Sequence, residues 1–115
     1  MAWTENIFLL LTLSTGLPFV IVSLITMQFP PKTINHLYGY RTKASMKNQE
    51  RWNFAQKYSS KQLLFCGLFL TLVGLISTII TIEEPTSIYS GIILIVLTLV
   101  ILFYNTETQL KKRFK

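Results

Sequence analysis

The chain has 115 residues, so a single domain is expected. Half of it is hydrophobic and 14% is charged, against about 25% charged in an ordinary soluble domain. That balance excludes a water-soluble globule, and the net charge of +6 has to be read with its placement along the chain.

The first uncharged run extends from Asn6 to Pro31, the second from Gln62 to Ile82, and the third from Pro85 to Thr106. A bilayer core takes about 20 helical residues at 1.5 Å each, so three transmembrane helices are predicted, over about residues 7–29, 62–82 and 86–106. The first run has Glu5 before it and no Lys or Arg. It is longer than a signal-peptide core of roughly 7–15 residues and lacks an A-x-A-like site; it is expected to stay as an anchor. Pro18 within it predicts a kink near Thr15–Pro18, and Pro30–Pro31 end it.

Each run carries small or hydroxyl residues at helical spacing. They are Thr12, Thr15, Gly16, Ser23 and Thr26 in the first, and Gly67, Thr71, Gly74, Thr78 and Thr81 in the second. Ser87, Gly91, Thr98 and Asn105 follow in the third. Small residues let membrane helices approach, and hydroxyls can bond across the seam. The expected fold is an all-α integral membrane protein: three helices in a compact bundle with these stripes inward. Cys66, alone in the chain, cannot form an intramolecular disulfide and reads as a small buried side chain. No ionisable Asp, Glu, Lys, Arg or His lies in a run, which argues against a proton relay or pump. Glu83 and Glu84 form a short turn before Pro85, so the second and third helices are antiparallel neighbours.

Between the first two helices stands a 30-residue segment, Lys32–Lys61. It holds Lys32, Arg41, Lys43, Lys47, Arg51, Lys57 and Lys61 against Glu50 alone; Lys111, Lys112, Arg113 and Lys115 lie in the tail, residues 107–115. All eleven cations therefore fall on one side of a three-span topology. The positive-inside rule makes that side cytoplasmic, with the N-terminus outside and the C-terminus inside. Topology and anionic headgroups account for the net charge, so no direct nucleic-acid binding is expected.

The long segment has more in it than a connector needs. Ser45 is a candidate N-cap for a helix from about Met46 to Tyr58, running into the second span. Gly39 suits a turn at Tyr38-Gly39-Tyr40. Tyr38, Tyr40, Trp52, Phe54 and Tyr58 could form an interfacial aromatic belt. Alternatively the segment is a folded cytoplasmic cap, with Arg41 paired to Glu50 and Trp52 packed over the helix ends. Ser45, His36 and Glu50 suggest a catalytic set on paper, but there is no G-x-S-x-G turn, no metal-ligand cluster and no Gly-rich phosphate loop. The expectation is a non-enzyme without metal or cofactor, and the lone His36 reads as a loop residue.

Asn35, then Tyr38-Gly39-Tyr40-Arg41-Thr42, then Ser45-Met46-Lys47-Asn48, Glu50, Trp52 and Ala55 resemble the signature of the SdpI family of small bacterial multi-pass membrane proteins. The resemblance covers about 20 residues closely and the three-span layout more loosely. It implies a bacterial cytoplasmic-membrane protein conferring immunity to a secreted membrane-active peptide toxin, with Asn35 to Ala55 as a partner-binding loop. A signalling role, in which a cytoplasmic transcriptional repressor is held at the membrane, is also implied. The chain resembles the C-terminal half of the longer founding member, and Lys43-Ala44 stand where the founder often has a proline. An accessory subunit of a membrane complex and a small transporter or lipid-handling protein are the alternative readings. Homo-oligomerisation is not addressed by the sequence.

Overall fold

The computed structural model describes residues 6–80 and 86–114. Helix α1 is Ile7–Gln28, α2 is Gln49–Ile76 and α3 is Thr86–Arg113. All three are long and apolar enough to cross a membrane, and the described residues contain no strand. The Glu83–Glu84 turn, Thr81 and Pro85 lie outside the described residues.

The 22 residues of α1 span about 33 Å, close to a bilayer core of about 30 Å. Helices α2 and α3, with 28 residues each, reach about 42 Å. They overshoot the hydrocarbon by two turns or more, and both do so at the end that carries the cations. There α2 absorbs the helix expected from Met46 onward, as one continuous rod into the second span. The segment expected as a tail continues α3 to Arg113. Pro18 lies inside α1 without ending it.

Helix α1 begins at Asn6, whose side-chain oxygen accepts from the Leu9 N–H at 3.0 Å. The Asn6 amide nitrogen donates to the Ser77 hydroxyl at 3.3 Å, so one residue caps α1 and pins it to the far end of α2. Between these helices the backbones touch. A Cβ on Gly67 would stand 2.8 Å from the Gly16 carbonyl, and one on Gly16 would stand 3.0 Å from the Gly67 carbonyl. Only glycine allows that approach on both sides. Helix α3 packs less closely, with Gly91 against Leu11 and Thr98, Leu102, Thr106 and Leu110 buried on its inner face. Cys66 is buried, its thiol 3.5 Å from the Thr98 carbonyl.

The small-residue stripes do face inward, with two corrections. Gly67 and Gly74 are buried and Thr71 is half-buried, but Thr78 is exposed. The chain tightens into a 3-10 turn at Ser77–Ile79, which swings Ser77 inward to Asn6 and Thr78 outward. Nor do the hydroxyls mainly bond across the seams. Thr12 donates to the Phe8 carbonyl at 2.9 Å, Thr71 to Gly67 at 2.8 Å, Thr98 to Ile95 at 2.7 Å and Thr106 to Leu102 at 2.8 Å. The carbonyl one turn back is the nearest acceptor when water is absent. Between the buried hydroxyls, Thr26 and Ser60 make the one bond across a seam among the described residues, at 2.7 Å.

Candidate functional site

The overshooting ends of α2 and α3 and the segment after α1 fold together into a clasp. Helix α1 runs out at Phe29, and the chain then has to turn back toward α2. Trp52 fixes that turn from inside: it is fully buried, and its indole N–H donates to the Pro31 carbonyl at 2.6 Å. A buried indole needs such a partner. Tyr38 fixes it from outside, its hydroxyl donating to the Phe29 carbonyl at 2.6 Å. That carbonyl belongs to the C-cap of α1, which has no acceptor role left within the helix.

Asn35 shapes the next bend. Its side-chain oxygen accepts from the N–H groups of Leu37 and Tyr38, at 2.9 and 2.7 Å, in an Asx turn. Gly39 has φ +104°, which disfavours any side chain. A Cβ there would also stand 2.7 Å from the Pro31 ring. The expected turn at Tyr38-Gly39-Tyr40 is thus present, and Gly39 is needed for both angle and space.

Tyr40 is the centre of the clasp. Gln56 accepts from its N–H at 2.7 Å and donates to its carbonyl at 2.8 Å. One side-chain amide thereby satisfies both buried backbone groups. The Tyr40 ring packs 5.5 Å from that of Phe103, and its hydroxyl donates to Glu107 at 2.9 Å. Burial, reinforced by the hydrogen bond and the charge of Glu107, pushes the phenol well above its ordinary pKa. Tyr40 therefore remains an O–H donor to α3.

Ser45 is fully buried but does not cap the helix. Its hydroxyl accepts from the Thr42 N–H at 2.8 Å, while the Thr42 hydroxyl accepts from the Ser45 N–H at 3.2 Å. This reciprocal pair closes a turn one step before the helix. The N-cap is Asn48, whose side chain accepts from the Arg51 N–H at 2.8 Å. Asn is as good a cap as Ser, and the Thr42–Ser45 turn has already committed the serine hydroxyl. Glu50 lies exposed in the first turn of α2, where the helix dipole favours an acid. It does not pair with Arg41: the Arg41 guanidinium donates to the His36 carbonyl and is exposed. Ala55 is fully buried in the core that also holds Tyr40.

The aromatic-belt reading fails for Tyr40 and Trp52, which are buried. Phe54 and Tyr58 stack on each other with ring centroids 5.7 Å apart, and Phe54 meets Phe114 edge-on at 5.9 Å. Arg51 donates to the Phe114 carbonyl at 2.7 Å, and Arg113 lies over Phe54 at 5.0 Å. Of the cap reading, the buried Trp52 is present and the Arg41–Glu50 pair is not; the contacts are made by partners the sequence did not single out, Gln56, Glu107 and Phe114. Gln56 stands one turn after Trp52 on the same face of α2, and that spacing was the available signal. Glu107 carried none, because its approach requires α3 to continue past the membrane.

Beneath the clasp, between the three helices, is a cavity of about 240 Å³. Thr26, Ser59, Ser60, Gln56 and Tyr40 form its polar wall, and Val22, Leu63, Leu99, Leu102 and Phe103 its apolar one. Among the described residues, no three His, Cys, Asp or Glu side chains come together as a metal site.

Residues 32–105 match the SdpI/YfhL protein family, a stretch that holds the clasp from Asn35 to Gln56 but not its acceptors at Phe29 and Pro31 or its Glu107 and Phe114 side. The chain is 36% identical over 94 residues to the uncharacterized protein YfhL of Bacillus subtilis strain 168, covering 80% of this chain and 78% of that one. It is 29% identical over 106 residues to the immunity protein SdpI of the same organism, covering 92% of this chain and 45% of that protein. The chain thus spans less than half of the immunity protein's length. No solved structure matches it. With three membrane-length helices and a clasp built from the matched residues, the chain is a small membrane protein that belongs to the SdpI/YfhL family.

Proposed function

We propose that this protein confers tolerance to a secreted membrane-active peptide, acting as a binding protein rather than an enzyme. The observation that carries the reading is the division of labour in the clasp. Gly39, Tyr40, Ser45, Trp52 and Ala55 are buried or spent on holding the fold, whereas Arg41 and Glu50 are exposed. Glu50 makes no bond that closes the clasp and Arg41 only a local one to the His36 carbonyl, and both stand on its outer surface as contact residues for a partner. Similarity to a protein named for immunity supplies the class of partner. In this reading the charged end faces the cytoplasm of a bacterial cell. A peptide that enters the bilayer meets the helices, and the clasp senses or locks the encounter from within. A cytoplasmic regulator would engage the same outer surface, where Lys43 and Lys47 add exposed positive charge.

The test is expression in a bacterium sensitive to membrane-active peptides, against a broad panel of them. The expected result is raised survival against at least one peptide. That survival should fall for Arg41→Ala and Glu50→Gln at constant protein level. Unchanged killing across the panel rejects the immunity reading. Survival indifferent to both substitutions rejects the role given to the exposed pair.

A further inference from the structure

We propose that the cavity beneath the clasp is a binding site for one glycerophospholipid of the leaflet at the charged end. One acyl chain lies in the apolar part, and an ester carbonyl accepts from the Ser59 hydroxyl.

The polarity of the cavity is graded along the membrane normal. Thr26 lies three residues before the end of the first predicted span at residue 29, and Ser59 and Ser60 lie just before the second run begins. These hydroxyls therefore stand where hydrocarbon gives way to headgroup. Val22 and Leu63, three or four residues further in, are about 5–6 Å deeper, and every deep lining residue is apolar. A glycerolipid has the same order: ester groups at the boundary, methylenes beneath. On α3, Lys111 lies two turns above Phe103 on the same face, placing a cation in the headgroup layer.

The cavity is open to lipid. Val22, Tyr38 and Phe103 at its edges are 46%, 38% and 48% exposed, so its mouth lies between α1 and α3. Its volume of about 240 Å³ is below the roughly 300–1,000 Å³ of sites that enclose a whole drug-sized ligand. It takes one limb of a molecule.

The hydrogen-bond inventory leaves one uncommitted hydroxyl for that molecule. Both ends of the Gln56 amide are committed to Tyr40, and the Tyr40 hydroxyl donates to Glu107. Thr26 donates to the Ser23 carbonyl, which leaves Ser60 as donor in the Thr26–Ser60 bond. Ser59 is held only by a 3.4 Å contact with the Gln56 carbonyl, long for a hydroxyl donor, and it can turn to a better acceptor. An acyl chain gains little by moving from lipid tails into an apolar cavity. Specific retention therefore depends on that bond and on the fit. The site is independent of whether the protein confers tolerance to a peptide.

The test is native mass spectrometry of the full chain released from vesicles of phosphatidylethanolamine and phosphatidylglycerol in mild detergent. The expected result is one retained phospholipid per chain. Ser59→Leu lowers retention by roughly fivefold, the effect of one net hydrogen bond. Val22→Trp, at the exposed edge, fills the mouth and abolishes retention. Leu72→Trp, on an outward face of α2, leaves it unchanged. Helicity by circular dichroism and survival of the clasp, read from hydrogen exchange at the Tyr40 amide, separate loss of the site from loss of the fold. Retention equal in all four proteins means annular lipid and overturns the proposal. So does a wild-type chain that retains no phospholipid, or one that retains a peptide in its place.

Discussion

The seam between α1 and α2 and the clasp at their charged end hold the same two helices by opposite means. Along the seam, backbones meet at Gly16 and Gly67, and hydroxyls mostly bond back into their own helix. In the clasp the bonds cross between elements: Trp52 to Pro31, Tyr38 to Phe29, Gln56 to Tyr40 and Tyr40 to Glu107. The difference follows from the solvent. In hydrocarbon, close packing of small residues is the available attraction, since lipid tails are as apolar as the side chains. Past the hydrocarbon edge the segment between α1 and α2 is irregular, and each of its buried N–H and C=O groups needs a partner from elsewhere.

Breaking the clasp at its pin gives the largest expected effect. Trp52→Ala removes a fully buried indole and strands the Pro31 carbonyl, at a cost of about 3–5 kcal/mol. Phe54→Ala, at a half-buried position, costs clearly less. Equilibrium unfolding in mixed micelles compares them, and equal small losses would return the segment to an interfacial belt. Gln56→Leu comes next. It leaves the Tyr40 N–H buried without a partner and its carbonyl with only the 3.3 Å contact of the Ser45 hydroxyl, at about 1–3 kcal/mol. Hydrogen exchange at the Tyr40 amide is the direct readout, and unchanged protection there removes Gln56 from the clasp.

The seam is tested by overpacking rather than by loss of bonds. In Gly67→Ala the new Cβ would press on the Gly16 carbonyl and on Val20, at 2.8 Å from each. Backbone cannot yield as a flexible side chain does, so a cost of about 1–3 kcal/mol is expected. A substitution of similar size at exposed Leu72, Leu72→Val, should cost far less. Near-equal stabilities would mean that the helices separate freely and that the glycines are not what brings them together.

The sequence made the seam legible and the clasp only half so. Hydropathy and charge located the spans, and spacing located Gly16, Gly67 and Gly74, because helical geometry repeats. The register failed at Thr78, where the helix tightens into a 3-10 turn and spacing no longer predicts the face. In the clasp, Gly39 and Trp52 were readable, since a left-handed turn and a large buried aromatic have few substitutes. Partner choices were not. The lone Glu50 looked like the mate of Arg41 because it is near in sequence. The acid that matters, Glu107, comes from the other end of the chain, and Ser45 was passed over as cap because Thr42 claims it. Such pairings depend on which elements meet in space.

The smallest expected effect sharpens the one contact that ties the clasp to α3. Tyr40→Phe keeps the ring against Phe103 and removes only the hydroxyl that donates to Glu107, at about 1 kcal/mol near neutral pH. The difference between the two proteins should depend on pH in a set direction. Burial first, then Glu107, raises the Tyr40 pKa in the folded protein. Below the unfolded phenol value of about 10 both states hold the proton and the contact contributes in full. Above it the unfolded chain releases that proton while the folded one retains it, so folding loses stability as pH rises. Tyr40→Phe lacks this term. Unfolding free energies measured from about pH 9 to 11 should therefore converge as the wild type weakens. A constant gap across that range would mean that neither burial nor Glu107 holds the Tyr40 proton, leaving α3 attached to the clasp by Phe103, Phe114 and packing alone.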